Sequence, residues 1–417
     1  MKIKKELKSD FSKNFLTLLT GTTIAQALPI AFSPILARIY TPEDFGLSAI
    51  FFAIIAIISV FSTGKYELAI IIPVKKEDAI NIFFLGIILL SIISLISLVI
   101  IIIFNSHITQ IIGIEEISQW LYFIPFAVFL TGIFNLLNFY NIRLKKYKDI
   151  SKSLVIKSFI SSVTQLTIGF LRDGVLGLIV GQLFSQFFAN LKLAKNIFND
   201  KELIKKVSKN KIISLAIKYK KFLKFSTIAS FLNTSSQQII SVLIPTFFNT
   251  ATLGFYAMGQ RVLSIPTTVI GTSIGQVFLQ EAQDEKMKTG FSRSIFLKTL
   301  RKLLLIGIPM FIFIFIFIED LFVFVFGENW AFSGLYAKIL VPLFFFRFIS
   351  SALSPVLIVF EKQKSELLIN TILFLSSIIL INIFDDFINF LQMFTLVMSL
   401  NYTLFLAYYY YLSSRKN

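Results

Sequence analysis

The sequence predicts an all-α polytopic membrane protein, with about twelve transmembrane helices arranged as two six-helix halves. Three observations predict it. Of the 417 residues 56% are hydrophobic, and the mean hydropathy is +0.79, more than a soluble domain sustains. Apolar runs, such as the one through INIFFLGIILL (Ile80–Leu90), recur along the whole chain. Lysine and arginine fall between the runs and favour every second gap.

Windows of about twenty apolar residues place spans at 14–36, 45–72, 80–104, 118–140, 154–171, 174–191, 222–246, 253–279, 303–326, 335–360, 366–383 and 388–412. The charge distribution tests this reading independently. One side receives the N-terminus, PVKKEDA, NIRLKKYKDISK, the segment Lys192 to Lys224, the Lys286 to Lys302 loop, EKQK and the tail, roughly 33 of the 40 basic residues. The other side receives short and often acidic loops: RIYTPEDFG, NSHITQIIGIEEISQ, RDG, FFNTATLG, FGENWAFSG and FDDF. Both termini are therefore expected in the cytoplasm. The first span holds Thr20, Thr22, Thr23 and Gln26, and Pro34 follows Ala31-Phe32-Ser33, so it is expected to stay uncleaved.

The basic stretch 192–221 reads as a cytoplasmic linker between an N-terminal lobe (1–191) and a C-terminal lobe (222–417). A half-length shift lays YTPEDFGLSA (Tyr40–Ala49) over FNTATLGFYA (Phe248–Ala257), superposing Gly46 on Gly254 and Ala49 on Ala257. The identity is thin, and it agrees with the linker and the topology.

Soluble-enzyme chemistry finds no place in this sequence. There is no phosphate-binding GxxxxGK[ST], no HExxH and no GxSxG, cysteine is absent, and the single His107 lies in an outer loop. Acidic residues lie at helix ends or in loops, with Glu67, Glu281 and Glu361 nearest the core, so no paired carboxylates are visible at mid-membrane. The outer loops are too short for a catalytic domain. No enzyme, cofactor or metal site is expected, and the basic residues are loop-bound rather than arranged for nucleic acid.

Within the spans the sequence keeps Lys65, Lys157, Arg261 and Arg347, with Arg38, Arg172 and Lys338 near outer ends. Ionisable groups at this depth usually face a cavity or a partner. Lys157 starts about one turn inside its span and can snorkel to the cytoplasm. Lys65 lies deeper, between snorkelling and a role in the cavity. Arg261 and Arg347 lie deepest, as substrate ligands or as parts of a hydrogen-bond network within a lobe. All these groups are cations, which suits a phosphate or pyrophosphate, for which arginine offers a planar fork. The seventh span, STIASFLNTSSQQIIS, carries Asn233 and Gln237 among its ten polar side chains, and Gln26 occupies a matching place in the first. Such groups serve sugar hydroxyls or interhelical hydrogen bonds, and the sequence leaves both open. GxxxG at Gly177–Gly181 and Gly271–Gly275 indicates close helix packing, and several prolines, Pro266 among them, break spans.

LARIYTPEDFGLSAIF (Leu36–Phe51), GKYELAIIIPVKKEDAINIF (Gly64–Phe83), YAMGQRVLSIPTTVIGTSIGQVFLQEA (Tyr256–Ala282) and LSPVLIVFEKQK (Leu353–Lys364) together resemble the O-antigen and capsule repeat-unit flippases. These belong to the multidrug/oligosaccharidyl-lipid/polysaccharide exporter superfamily. The resemblance covers most of the chain. It implies two six-helix lobes around a central cavity, and translocation of undecaprenyl-pyrophosphate-linked oligosaccharide to the outer leaflet of the bacterial inner membrane by alternating access. Coupling to a proton or sodium gradient is also implied, though no dedicated ion site is visible. By resemblance Lys65 and Arg261 match basic cavity positions of related flippases, whereas Arg347 is placed by depth alone. The expected substrate-binding residues are thus Arg261, Arg347, Lys65, Gln26, Asn233 and Gln237. The expected partners are the lipid-linked oligosaccharide, membrane lipids, a polysaccharide polymerase and a chain-length regulator. Two rivals remain, a multidrug exporter of the same superfamily and a membrane polysaccharide polymerase or ligase. The first is disfavoured by the missing mid-membrane acid, the second by the missing outer loop.

Overall fold

The computed structural model describes the backbone of residues 2–199 and 201–415 and, within them, every side chain except those of 2–16, 19, 201 and 363. The described residues form helices and no strand. Their contacts divide the chain into two compact units, Met1–Thr234 and Ser235–Asn417.

The first unit contains α1 (Lys2–Ile39), α2 (Pro42–Ser62), the short α3 (Tyr66–Ala69), α4 (Lys76–Ile112), the short α5 (Ser118–Leu121), α6 (Ile124–Arg143), α7 (Tyr147–Leu171), α8 (Leu176–Phe198), α9 (Lys201–Ile204) and α10 (Lys209–Lys218). Local chemistry fixes the ends. Thr41 caps α2 through a reciprocal pair with Asp44, while Pro42 occupies a first-turn position where no amide donor is missed. Within the membrane, close approach replaces hydrophobic drive as the source of helix association. Thus a Cβ on Gly181 would lie 2.6 Å from Gln165 Cγ and 3.1 Å from the Ser161 carbonyl, so the first GxxxG packs α8 on α7. Tyr66, Phe83, Leu136, Tyr140, Leu193 and Leu215 share one apolar core.

Basic residues beyond α8 are docked rather than extended. Glu77, at the start of α4, accepts from Lys206 and Lys211 Nζ at 2.7 Å each, and Asn81 binds the Lys206 carbonyl and the Ser208 amide. The Tyr66 hydroxyl donates to the Ala216 carbonyl at 2.9 Å. The stretch expected to be a linker is helical in part and anchored to α3 and α4.

The second unit takes up α11 (Thr227–Phe247) from Ser235 and continues with α12 (Thr250–Leu263), α13 (Thr272–Thr289), α14 (Arg293–Phe326), α15 (Ala331–Leu353), the short α16 (Val356–Val359), α17 (Gln363–Ile381) and α18 (Phe387–Ser414). Asn249 caps α12 by accepting from the Thr252 amide at 2.7 Å. The half-length shift that pairs Tyr40–Ala49 with Phe248–Ala257 therefore pairs two side-chain caps, Thr41 and Asn249, and two buried glycines. Phe387 at the start of α18 gathers Tyr336, Phe248 and Tyr256 at ring-centroid distances of 4.8, 5.0 and 6.3 Å. The second GxxxG lies against α15, Gly271 beside Phe348 and Gly275 beside the Ala352 carbonyl.

Among the described residues ten helices are long and apolar enough to cross a membrane, or eleven if α12 and the helical stretch Thr267–Thr289, bent by 40°, form one broken span. α11 has 21 residues, enough to cross a core about 30 Å thick. Its polar side chains keep it below the hydropathy of the others, which accounts for the difference from twelve.

Candidate functional site

Arg261 lies on α12, roughly 16 Å from Thr250 along the helix axis, well inside the span as its place in the sequence suggests. Asn249 starts this helix just before the apolar window at 253. α12 ends at Leu263, and a wide π-type turn at Thr267–Gly271 follows Pro266, which has no amide to continue the ladder. Arg261 is half-buried just before this break.

Arg347 is half-buried on α15, with its guanidinium 5.6 Å from the centroid of the Phe344 ring. It interacts electrostatically with Tyr256, a buried phenol whose hydroxyl accepts from Gln260 Nε2 at 2.6 Å. Gly259 lies 3.3 Å, by its would-be Cβ, from the Ser333 carbonyl, which sets the register of α12 against α15. In that register Arg261 stands level with Lys338, roughly 13 Å from Arg347 along α15. The two arginines occupy successive depths of the second unit.

Lys65 is placed differently from the sequence reading. The expected span through residue 72 stops at Ser62, because Gly64 (φ 57°) and Lys65 (φ 58°) adopt the left-handed conformation and reverse the backbone. Lys65 thus lies beyond the end of α2, where its ammonium is 3.8 Å from Glu67, a carboxylate only 3% exposed that also accepts from the Thr63 hydroxyl. Its first measurable job is to balance Glu67.

Gln26 is exposed on α1, and Asn233 and Gln237 are exposed one turn apart on α11. The structure puts Gln26, Lys65 and Asn233 in the first unit and Gln237, Arg261 and Arg347 in the second.

α7 carries Lys157. α7 begins at Tyr147 and not at 154, since YKDISKS is helical without being apolar, so Lys157 sits roughly 15 Å beyond the helix start. Its Nζ lies 5.2 Å from the centroid of the Phe134 ring, and Phe134 is central in α6. The apolar part of α7 begins only at Leu154, so the ammonium lies about one turn inside it. No carboxylate among the described residues pairs with it. The acid in its own helix, Asp149, is in the first turn of α7 and held by Lys192 at 3.0 Å. The cation–π contact contributes about 0.5–2 kcal/mol.

No group of three or more His, Asp or Glu among the described residues could hold a metal ion.

Solved structures share this fold. The Lipid II flippase MurJ in an inward closed conformation superposes with a TM-score of 0.76 at 14% identity, covering 94% of this chain and 87% of that one. An inward-facing multidrug resistance MATE family transporter of the MOP superfamily gives 0.69 at 13% identity over 94% and 93%. A MOP superfamily transporter from Pyrococcus furiosus gives 0.64 at 14% identity over 96% and 95%. The sequence matches no curated protein. Residues 35–333 match the family described as polysaccharide biosynthesis protein. That match spans most of the chain, including the capped start of α2, the left-handed break at Lys65 and the bent α12–α13 pair that carries Arg261, so this multi-pass membrane protein belongs to the polysaccharide biosynthesis protein family.

Proposed function

We propose that the protein is a flippase that moves undecaprenyl-pyrophosphate-linked oligosaccharide repeat units from the cytoplasmic to the outer leaflet by alternating access, with no covalent chemistry. The observation that carries this reading is the sign of the charge set well inside the helices of the second unit: Arg261 and Arg347 are cations, and Glu319, the acid that reaches the level of Arg261, is held by Lys338 at 3.4 Å. Guanidinium groups in a low-dielectric wall favour a pyrophosphate and disfavour a cationic drug. The family match and the fold shared with a lipid flippase support it.

In this reading Arg261 and Arg347 bind the pyrophosphate at successive depths. Lys65 assists from the cytoplasmic third, and its bond to Glu67 makes it available only when that pair opens. The exposed amides Gln26, Asn233 and Gln237 supply hydrogen bonds to sugar hydroxyls. The basic loops support cytoplasmic termini and a bacterial inner-membrane location, with a proton or sodium gradient driving the cycle and no cofactor required. A polysaccharide polymerase and a chain-length regulator would receive the product.

The test replaces Arg261 with Ala and with Lys in cells lacking their own flippase and measures surface polysaccharide. The reading expects loss with Ala and partial activity with Lys, at equal protein levels. Full activity of the Ala variant contradicts the electrostatic role.

A further inference from the structure

Docking against the first unit explains only one face of α10. On the inner face Leu215 is 5% exposed, and Ile212, Ala216 and Tyr219 pack against the core that holds Tyr66 and Phe83. The outer face has no such cover. Asn210, Ile213 and Ile217 recur at helical spacing on the side away from Leu215, and the two isoleucines are 50% and 62% exposed. Lys209 precedes them, Lys220 and Lys221 follow the last turn, and all three lysines are exposed. Among the described residues no carboxylate pairs with these three, whereas Lys206 and Lys211 are taken by Glu77. A helix that buries one apolar stripe and shows a second, edged by lysine, has two apolar surroundings.

Both ends of α10 are held at the level where spans begin. Just before its start the Ser208 amide donates to Asn81 Oδ1 at 2.9 Å, beside Ile80, where the apolar run of α4 opens. Near its end the Tyr66 hydroxyl binds the Ala216 carbonyl, and Phe225, 68% exposed, leads into α11. α10 therefore runs along the membrane boundary and not out into water. At that level the isoleucines can enter the headgroup layer while the ammonium groups meet lipid phosphate. The unbalanced lysines select an anionic surface, since a neutral one offers them no net attraction. The entry of the chain into lipid at Phe225 favours this occupant over a second protein.

We infer that the outer face of α10, Ile213 and Ile217 with Lys209, Lys220 and Lys221, docks on the anionic phospholipid surface of the leaflet that adjoins the basic loops. The contact is with bulk lipid at the rim of the first unit. It holds no transported molecule, so it stands independently of the flippase reading.

The chain has no cysteine, so N210C gives a single labelling site on this face. The test places an environment-sensitive fluorophore there in the full-length protein, in nanodiscs of phosphatidylcholine alone or with added phosphatidylglycerol. When phosphatidylglycerol is added, the expected result is a blue shift, a loss of quenching by acrylamide and a gain of quenching by nitroxide-labelled lipid. In the same background K209Q/K220Q/K221Q and I213S/I217S are each expected to lose that response. Both should melt as their parent does, because the protein buries none of these side chains. A fluorophore equally open to acrylamide in both lipids overturns the inference, as does one shielded equally in both, or a response that survives either set of substitutions. Shielding in native membranes that is absent in phosphatidylglycerol nanodiscs assigns the face to a protein partner and also overturns it.

Discussion

Tyr40 donates its hydroxyl to the Gln165 carbonyl at 2.6 Å, and a Cβ on Gly177 would lie 1.9 Å from that same oxygen. One tyrosine at the end of α1 thus depends on the absence of a side chain on α8. G177A is expected to displace the hydroxyl and to cost about 1–3 kcal/mol. Y40F alone should cost about 1 kcal/mol. Melting temperatures in detergent check both, and in the Y40F background G177A should cost less, because the clashing oxygen has gone.

Lys65 and Glu67 form a pair in which one member is almost fully buried. K65M leaves the Glu67 carboxylate with the Thr63 hydroxyl and without its cation, so the variant should be destabilised by about 1–2 kcal/mol, below the usual cost of breaking a fully buried pair because Lys65 keeps some contact with solvent. The double variant K65M/E67Q should recover much of the loss. A stability equal to wild type in K65M would show that Lys65 serves the substrate alone.

Much of the architecture was legible before any coordinates. Hydropathy finds the spans because the lipid core selects composition directly, and the caps Thr41 and Asn249 announce themselves as polar residues ahead of apolar runs. Depth was less legible. Hydropathy sees where lipid begins, whereas helices continue into water, so YKDISKS hid the true start of α7. Lys65 shows the opposite error. An apolar run continued past a left-handed Gly64-Lys65 turn that only a glycine in STGKYE hinted at. Pro266 gave a clearer sign, and α12 does break there. Register across helices, which sets Arg261 and Arg347 at different depths, is a property of packing that no single span reveals.

Glu77 anchors the basic segment by accepting from Lys206 and Lys211. E77Q should free that segment, which limited trypsin digestion would report as faster cleavage between residues 205 and 224. High salt should produce the same acceleration in the wild type, because these lysines are largely exposed.

Asn249 satisfies the Thr252 amide at the start of α12. N249A should cost about 1 kcal/mol and N249S much less, since serine supplies the same acceptor. Thermal unfolding of the purified variants decides it.

The central claim is that the chain moves an unchanged lipid-linked glycan between leaflets. Its most direct test places the purified protein in liposomes with a fluorescent undecaprenyl-pyrophosphate oligosaccharide and follows quenching by a membrane-impermeant reagent, with product mass read at the end. Wild-type protein is expected to expose inner-leaflet substrate to the quencher at unchanged mass, and R261A to do so far more slowly. Exposure no faster than in protein-free liposomes, or a product of altered mass, would contradict the account.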